Sequence, residues 1–315
     1  MPAPEVFAFV PSYNHAPFVE RCLRSIFKQT VQPAKLLVID DGSRDDSVQV
    51  IEKTLRDCPF PAEFVHRENR GLCRTLNEGF ANSFGKYFAY LGSDDVWLPE
   101  FLENRVRQLE ERPAAVLGYG HAYKIDAFDN IVENSADWAE YADGDALPML
   151  LGGNAPFSPT VCYRREVLAT ERWNDQARLE DYDLYLRLSR KGEFAFDSQT
   201  LAAWRQHDTN TSHDWRMMLD EVLAAQQRNF AVMDISETEL KRACAAAKLL
   251  YSEMFARTGD KRTALSLLTR NLSAADSTAF VVKSFLRLLA PQAVIKRRQQ
   301  REKAKVTQRY GKLPI

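Results

Sequence analysis

The stretch Tyr87-Phe88-Ala89-Tyr90-Leu91-Gly92-Ser93-Asp94-Asp95 contains five apolar residues followed directly by a polar, acidic loop. A short apolar run bounded by turn-forming residues is typical of a buried strand. Two adjacent carboxylates at the end of such a strand are costly unless water, a helix N-terminus or a cation balances their charge. The stretch therefore predicts a buried strand with a candidate binding loop at its carboxyl end.

Three similar strand-and-loop units precede this stretch. Short apolar runs predict strands at 6–10, 36–39 and 64–66, and helical periodicity follows each of them. Such β-α-β alternation predicts a parallel sheet covered by helices, in which ligands bind beyond the carboxyl ends of the strands. The polar loops 11–14, 40–43 and 92–95 all follow strands, so we expect them to form one site.

The pattern changes after Pro99. Helices are predicted at 101–111 and 181–190 and strands at 116–125, 160–163 and 201–207, with a loop-rich stretch at 126–160. After Asp214 the composition is helical, with few breakers before Pro291. We therefore predict an α/β domain over residues 1–212 and an α-helical region with a basic tail over residues 213–315.

Charge is spread unevenly along the chain. The net charge is −1, but the segment 281–315 contains ten Lys or Arg residues and one acidic residue. Apolar residues accompany these charges at 283–310, which suggests attachment to an anionic membrane surface. A solvated helix end and a basic arm that binds the acidic body are the alternatives. Nucleic-acid binding is disfavoured, because the body is acidic and no nucleic-acid-reading motif is present.

Cysteine usage and hydropathy bear on the compartment. The five cysteines are scattered without a Cys-x-x-Cys pair, which disfavours a disulfide framework and indicates a reducing compartment. No N-terminal signal is visible, and no apolar stretch approaches the ~20 residues of a membrane span. We expect a cytoplasmic protein whose basic tail is a candidate contact to the inner face of the plasma membrane.

Four motifs occur in order: Pro11-Ser12-Tyr13-Asn14, Val38-Ile39-Asp40-Asp41-Gly42-Ser43, Asn69-Arg70-Gly71, and Ser93-Asp94-Asp95-Val96-Trp97-Leu98-Pro99. Together they resemble the inverting glycosyltransferase family 2, whose members have the GT-A fold. The resemblance covers residues 6–212. It implies a nucleotide-diphosphate sugar donor, a divalent metal (Mn²⁺ or Mg²⁺) and transfer to an acceptor hydroxyl with inversion. A surface polysaccharide or lipid-linked glycan is the acceptor that the family most often implies.

The first two motifs imply residues that bind the nucleotide. Pro11 and Tyr13, with Asn14 beside them, match the segment that lines the base. Asp40 or Asp41 matches the carboxylate that accepts a hydrogen bond from the base. The residues alone also allow a simple turn at 40–43, and they predict that Asn14 caps the following helix.

The third motif supplies Arg70 and Gly71. The resemblance implies that Gly71 lets the backbone approach the nucleotide, because glycine has no side chain. Arg70, or Arg74 nearby, is a candidate partner for phosphate. Each arginine is explained equally well as a solvated surface charge.

The acidic loop matches the family's metal-binding motif. Asp94 takes the position of the principal metal ligand, and Ser93 belongs to the same donor-binding loop. Asp95 is predicted to cap the helix that starts after Pro99. The family's loop commonly reads Asp-Ser-Asp-Asp, whereas this chain has Gly92 at the first position. The resemblance therefore implies a site with one carboxylate fewer than its relatives usually have.

A second acidic segment, Leu179–Leu188, resembles the family's Glu-Asp-x-x-Leu-x-x-Arg segment. Asp181 takes the position of the general base that an inverting transfer needs beside the acceptor hydroxyl. Glu180 is implied to support the base or to contact bound sugar. The alternative is an acidic first helical turn that is favourable for the helix dipole.

The segment 204–212 resembles the part of the family that follows the base. His207 is therefore a candidate metal ligand through its neutral imidazole, or a contact to phosphate, with a structural role as the alternative. No motif supports a function for the other histidines: His15, His66, His121 and His213.

Two other classes of function remain open from the sequence. A nucleotidyltransferase also combines an α/β fold with acidic metal-binding loops, but it normally has a Gly-rich first loop with Lys or Arg, which residues 11–14 lack. A nucleotide-binding module that has lost catalysis is favoured only by Gly92.

Overall fold

Residues 5–90 form a parallel sheet with helices between its strands. The computed structural model describes residues 5–207, 214–275 and 277–314. The strands of this part are β1 (Val6–Ser12), β2 (Lys35–Asp40), β3 (Ala62–His66) and β4 (Tyr87–Tyr90), and the helices are α1 (Val19–Phe27), α2 (Ser47–Leu55) and α3 (Leu72–Ala81). All pairs among these strands are parallel, as the sequence predicts.

The second part of the sheet is mixed. Its strands are β5 (Val96–Trp97), β6 (Ala115–Ile125), β7 (Ile131–Asn134), β8 (Cys162–Arg164) and β9 (Glu193–Arg205). The order across the sheet is β3-β2-β1-β4-β8-β6-β9-β5, with β7 paired to β6. β8 runs antiparallel to both β4 and β6, while β6 and β9 are parallel. The parallel part of the sheet therefore ends at β4, and the antiparallel strand β8 extends the sheet beyond it.

Alternation along the strands assigns each face of the sheet to a helix layer. In β1, Phe7 and Phe9 pack in one core cluster with Leu76 and Phe80 of α3. Ala8 and Val10 point to the opposite face, where they pack with α1. Both faces of β1 and β4 are buried, which explains why these two strands are apolar over most of their length, whereas the edge strand β3 is largely exposed. The helices α4 (Phe101–Glu111), α5 (Leu147–Leu151), α6 (Arg165–Leu168) and α7 (Glu180–Leu188) complete this part.

The C-terminal region is helical, as expected. Its helices are α8 (Trp215–Arg228), α9 (Phe230–Met233), α10 (Glu237–Thr258), α11 (Lys261–Arg270), α12 (Thr278–Leu289) and α13 (Gln292–Tyr310). The chain returns to the sheet after α13, because Leu313 packs with Ile125 and Ile131. The predicted domain boundary falls in residues 208–213, outside the described residues. Within the described part, no single helix has the length and hydropathy to span a membrane. The pair α12 and α13 meets these criteria only when the two helices are taken together, and the chain bends by 117° between them.

Two predicted helix caps are wrong. The residue before α1 is Phe18, and Asn14 instead has a φ of 54° and accepts a hydrogen bond from the Arg44 N–H at 2.8 Å. The residue before α4 is Glu100, and Asp95 accepts a hydrogen bond from the Arg205 N–H at 2.9 Å. Both side chains bind backbone that is distant in sequence, because the loops at the sheet edge pack on one another.

Candidate functional site

The loops that follow β1, β2 and β4 lie together at one edge of the sheet, as predicted. The backbone N–H of Asn14 donates to Ser43 Oγ at 2.7 Å, which joins the first loop to the second. His15 Nδ1 lies 2.8 Å from Ser93 Oγ, which joins the first loop to the acidic loop. These hydrogen bonds therefore hold three loops that are distant in sequence against one another at this edge of the sheet.

The two aspartates after β2 have different roles. Asp40 is fully buried, and its carboxylate accepts hydrogen bonds from the N–H and hydroxyl of Ser43 at 2.8 and 2.6 Å. It stabilises its own turn. Asp41 accepts from the N–H groups of Arg70 and Gly71 at 2.8 and 2.9 Å. Asp41 therefore fixes the position of the loop that follows β3.

Arg67 is part of this arrangement, and the sequence reasoning missed it. Its guanidinium donates to Asp41, to Glu78 at 3.0 Å and to Thr75 at 2.8 Å. It therefore ties α3 to the carboxyl end of β2. A basic residue directly after β3, next to the acidic end of β2 in a parallel sheet, is the signal that would have identified it.

The remaining predicted nucleotide-binding residues lie at the same edge. Pro11 is buried within β1, where it pairs with Ile39 of β2. Tyr13 follows it and is 42% exposed, so its ring is accessible to a planar ligand. Arg70 is exposed, and Arg70 and Gly71 border the cavity described below.

Asp94 lies between two imidazoles. His207 Nε2 is 3.0 Å from Asp94 Oδ2, and His15 Nδ1 is 3.6 Å from Asp94 Oδ1. One ligand atom from each of the three residues lies within 4.8 Å of the others. Two imidazole nitrogens and a carboxylate oxygen are common ligands of divalent transition metals. The predicted pair of Asp94 and His207 is therefore brought together, and His15 joins it.

His15 was not predicted as a site residue. It follows the motif 11–14 directly, and its position after β1 places it beside the acidic loop after β4, since β1 and β4 are neighbours. Burial lowers the pKa of His15, which the charge of Asp94 only partly offsets. The neutral imidazole that results is the form that binds metal.

The two aspartates of the acidic loop have pKa values that are shifted in opposite directions. Burial acts to raise the pKa of Asp94, but the hydrogen bond from His207 and the proximity of His15 lower it below its usual value. Burial and the charge of Asp94 raise the pKa of Asp95 well above its usual value. Asp94 is thus the anionic carboxylate of the pair and the candidate metal ligand.

Arg205 holds the acidic loop in place from behind. It is 1% exposed, and its Nε donates to the Asp94 backbone carbonyl at 2.8 Å while its Nη2 pairs with Asp129 at 2.7 Å. Phe18 stacks on the His207 ring at 4.9 Å and lies 5.0 Å from the Arg205 guanidinium carbon. These contacts hold both candidate ligands, Asp94 and His207, in position. The rest of the predicted segment, residues 208–212, lies outside the described residues.

Glu180 and Asp181 begin α7 and border a cavity of about 1450 Å³. Asp181 Oδ1 accepts a hydrogen bond from the Tyr182 N–H at 2.7 Å. Both residues are half-buried, but the cavity walls exclude enough water to raise the pKa of Asp181 to about 6. Burial and the charge of Asp181 raise the pKa of Glu180 to about 8. Near neutral pH the two carboxyl groups therefore share about one proton, and Asp181 has the lower pKa of the two.

The cavity and the group His15, Asp94 and His207 are adjacent. None of these three residues lines the cavity, but Trp204 does, and it is three residues before His207. Successive residues of a strand point to opposite faces. β9 therefore presents Trp204 to the cavity and Arg205 to the acidic loop.

Sequence comparison assigns the chain to a family. A family model described as glycosyl transferase family 2 matches residues 7–170, about half of the chain. The chain belongs to glycosyl transferase family 2. It is 24% identical over 216 residues to a chondroitin synthase of Escherichia coli and 30% identical over 168 residues to an uncharacterized glycosyltransferase of Nostoc sp.. Those alignments cover 66% and 52% of this chain, but only 30% and 52% of the relatives.

Solved structures of glycosyltransferases share the fold of this family 2 chain. A mannosyltransferase from Pyrobaculum calidifontis, in complex with GDP-Man and Mn²⁺, superimposes with a TM-score of 0.63 at 16% identity, covering 97% of this chain and 86% of that one. S. aureus TarS residues 1–349, in complex with UDP-GlcNAc, gives a TM-score of 0.60 at 16% identity, covering 97% and 91%. The predicted GT-A fold is confirmed.

Gly92, where family 2 commonly has aspartate, occupies a crowded position. A Cβ atom there would lie 3.0 Å from Asp94 Oδ1 and 3.1 Å from Asp95 Oδ2. A third carboxylate would also add its charge to two that are already buried. The carboxylates of Asp94 and Asp95 thus occupy the space that an aspartate side chain at position 92 would need.

We expect Gly92→Asp to destabilise the protein by roughly 1–3 kcal/mol, because the added side chain overpacks the loop and repels Asp94. Thermal unfolding with and without excess Mn²⁺ measures the effect, and Gly92→Ala separates crowding from charge. Added Mn²⁺ should reduce the difference in stability between Gly92→Asp and the wild type, and it should leave the difference between Gly92→Ala and the wild type unchanged. Unchanged stability combined with tighter Mn²⁺ binding by Gly92→Asp would contradict this explanation.

Proposed function

We propose that this chain is a metal-dependent inverting glycosyltransferase that moves a sugar from a nucleotide-diphosphate sugar to an acceptor hydroxyl. The observation that carries the proposal is the placement of Asp94 between His15 and His207, beside a cavity that contains Asp181. The first group suits a metal-bound diphosphate, and Asp181 suits an acceptor hydroxyl. We further propose that the product belongs to a surface polysaccharide or lipid-linked glycan, since the chondroitin synthase makes a polysaccharide.

The ligand set favours Mn²⁺ over Mg²⁺. Mg²⁺ binds almost entirely to oxygen, whereas two of the three candidate ligand atoms here are imidazole nitrogens. The mannosyltransferase of similar fold binds Mn²⁺ together with GDP-Man. When bound, the metal would neutralise charge on the diphosphate leaving group.

The chemical step is a single displacement. Asp181 takes the proton from the acceptor hydroxyl, and the acceptor oxygen forms a bond to the anomeric carbon of the donor sugar. The bond from that carbon to the diphosphate oxygen breaks, and its electron pair leaves with the nucleoside diphosphate. Attack opposite to the leaving group inverts the anomeric centre. Glu180, protonated near neutral pH, donates a hydrogen bond to sugar in this site.

A nucleotide panel tests the proposal. Calorimetry of UDP, GDP and TDP with Mn²⁺ should show that one of them binds, and that chelation of the metal removes binding. The matching sugar donors are then assayed for transfer and hydrolysis. Binding without turnover would favour the catalytically weakened binding module, and pyrophosphate release from a nucleoside triphosphate plus a sugar phosphate would favour a nucleotidyltransferase. If no nucleotide binds, the proposal is wrong.

The rate should depend on pH through Asp181. Because its pKa is raised to about 6, the base is protonated and inactive below that value and becomes active as the pH rises through it. We expect kcat/KM to fall about tenfold for each pH unit below about 6 and to level off above it. Initial rates between about pH 5 and about pH 8 at saturating Mn²⁺ measure the profile. A flat acidic limb would contradict the assignment.

We also propose that α12 and α13 attach the protein to the anionic inner face of the plasma membrane. Val282, Leu286 and Leu289 lie on one face of α12 and are 52%, 62% and 80% exposed. An apolar stripe of this kind is costly in water. The adjoining segment 296–305 of α13 carries exposed lysines and arginines. The end of α13 is held by the acidic body instead, through Arg309 and Asp137 at 3.2 Å.

The triple variant Lys296→Gln, Arg297→Gln, Arg301→Gln should bind anionic vesicles about 100-fold more weakly, because each basic residue near such a surface contributes about 1 kcal/mol. Co-sedimentation with phosphatidylcholine vesicles, with and without phosphatidylglycerol, measures the effect. Leu286→Gln tests the apolar contribution. Leu265→Gln is its control, because Leu265 is 46% exposed but lies on α11. Equal sedimentation of the wild type and the triple variant would contradict attachment through this surface.

A further inference from the structure

The cavity beside Asp181 has two walls of different chemistry. The aromatic wall consists of Trp138, Phe157 and Trp204, with Lys124 among them. The helical wall comes from α5, α8 and α10, and its exposed surface is mainly Leu, Met and Trp. The GT-A part of the chain thus supplies the aromatic wall and α5, and the C-terminal helices α8 and α10 supply the rest of the helical wall.

The aromatic wall is rigid and partly open. Phe157 and Trp204 stack at 5.3 Å with an interplanar angle of 28°, and Trp138 meets Phe157 edge-on at 6.3 Å. Lys124 Nζ lies 5.3–5.7 Å from the three ring centroids and pairs with Glu133 at 2.6 Å. Trp138 is 48% exposed. Two stacked rings, a third ring nearly perpendicular to them and a hydrogen-bond donor between the three suit a sugar ring, which has C–H faces and hydroxyl edges.

The helical wall suits an apolar guest. Met217, Met218 and Met254 line it and are half-buried, and Leu250 is 36% exposed. Gly153 lets Leu250 approach the loop after α5, since a Cβ atom at Gly153 would lie 2.8 Å from Leu250 Cδ2. Methionine side chains adapt to irregular apolar partners. A purely polar oligosaccharide would leave this wall in contact with water or with hydroxyl groups, without compensation.

We propose that the cavity binds an amphipathic acceptor, a sugar joined to an alkyl or prenyl chain. The sugar lies on the aromatic wall with a hydroxyl toward Asp181, and the apolar chain lies along the helical wall. The assignment of the sugar end rests on the proposed function. The assignment of the apolar end rests on the chemistry of α8 and α10 and on their continuity with the carboxylates in one cavity.

Intrinsic fluorescence reports on this cavity directly. Trp138, Trp204 and Trp215 line it, whereas Trp97 and Trp173 are buried elsewhere. The probes are methyl, butyl, hexyl and octyl β-D-glucopyranosides below their micelle concentrations, without nucleotide or metal. We expect a saturable change in fluorescence whose Kd falls about threefold to fourfold for each added methylene. A Kd that is independent of chain length would overturn the proposal.

Leu250 and Leu265 form a matched pair for the test. Both are exposed leucines on C-terminal helices, at 36% and 46%, but only Leu250 lines the cavity. Leu250→Gln should weaken octyl glucoside binding about tenfold or more, and Leu265→Gln should leave it unchanged. Equal effects of the two substitutions would indicate non-specific detergent binding and overturn the proposal.

The two proposals fail separately. The alkyl glucoside series contains no nucleotide, so it tests only the cavity, while the nucleotide panel tests only donor binding and turnover. If a sugar donor is used but transfer to octyl and methyl glucosides has the same KM, and Leu250→Gln changes neither KM, the enzyme stands and the amphipathic acceptor is rejected.

Discussion

Asp181→Asn is expected to lower kcat by about 10²–10⁴-fold at saturating donor, acceptor and Mn²⁺, because a general base contributes about that much to proton transfer. Asparagine keeps the size of the side chain and its hydrogen bond from the Tyr182 N–H. It cannot take a proton from the acceptor. The affinity for the nucleotide should not change, since the substituted group does not contact the metal cluster. The acidic limb of the pH profile should also disappear.

Glu180→Gln is the control for this substitution. The pKa of Glu180 is raised to about 8, so glutamine resembles its protonated form near neutral pH. We expect kcat to change by about tenfold at most, the equivalent of one neutral hydrogen bond. A loss of less than about tenfold in Asp181→Asn would place the base elsewhere. A larger loss in Glu180→Gln than in Asp181→Asn would exchange the two roles.

Asp94→Asn should weaken Mn²⁺ binding by more than about 100-fold, the upper end of the cost of losing a residue that only supports a metal ligand. The substitution removes the one anionic ligand of the cluster, while Arg205 still holds the loop backbone. Titration of free Mn²⁺ by electron paramagnetic resonance measures the affinity without substrate. Metal-dependent nucleotide binding should be lost in parallel.

The variants His15→Ala and His207→Ala test whether the metal has three protein ligands or two. If both imidazoles bind the metal, each substitution should weaken Mn²⁺ binding by at least about tenfold. His66→Ala is the matched control, since His66 is exposed and lies outside the cluster. Normal Mn²⁺ affinity in His15→Ala would show that His15 only contacts Ser93 and Asp94. Normal affinity in Asp94→Asn would reject the site.

The sheet edge could be predicted because its signals are local. The apolar runs 6–10 and 36–39 are each followed by turn residues, and parallel neighbours must end at the same edge. The resemblance then supplied Asp94 and His207, which are 113 residues apart. His15 was missed because a lone histidine carries no periodic signal, and its proximity to Asp94 depends on β1 and β4 being neighbours.

The cavity could not be predicted, because it forms between elements that are distant in sequence. Phe157, which stacks on Trp204, lies in a segment whose sequence showed only helix- and strand-breaking residues. Leu250 contacts Gly153, although the two are about a hundred residues apart in sequence. Both predicted helix caps failed for a related reason. Asn14 and Asp95 have residue types that favour caps, but tertiary hydrogen bonds to Arg44 and Arg205 compete successfully with the local ones.

The alternation along β9 constrains how this enzyme can diverge. Trp204 faces the cavity and Arg205 faces the acidic loop, so neighbouring residues serve the proposed acceptor site and the proposed metal site separately. A one-residue insertion upstream in β9 would exchange their faces and disrupt both functions at once. Changes in preference for the acceptor should therefore accumulate as substitutions at Trp204, or in the loop that carries Phe157, while the length of the strand stays fixed.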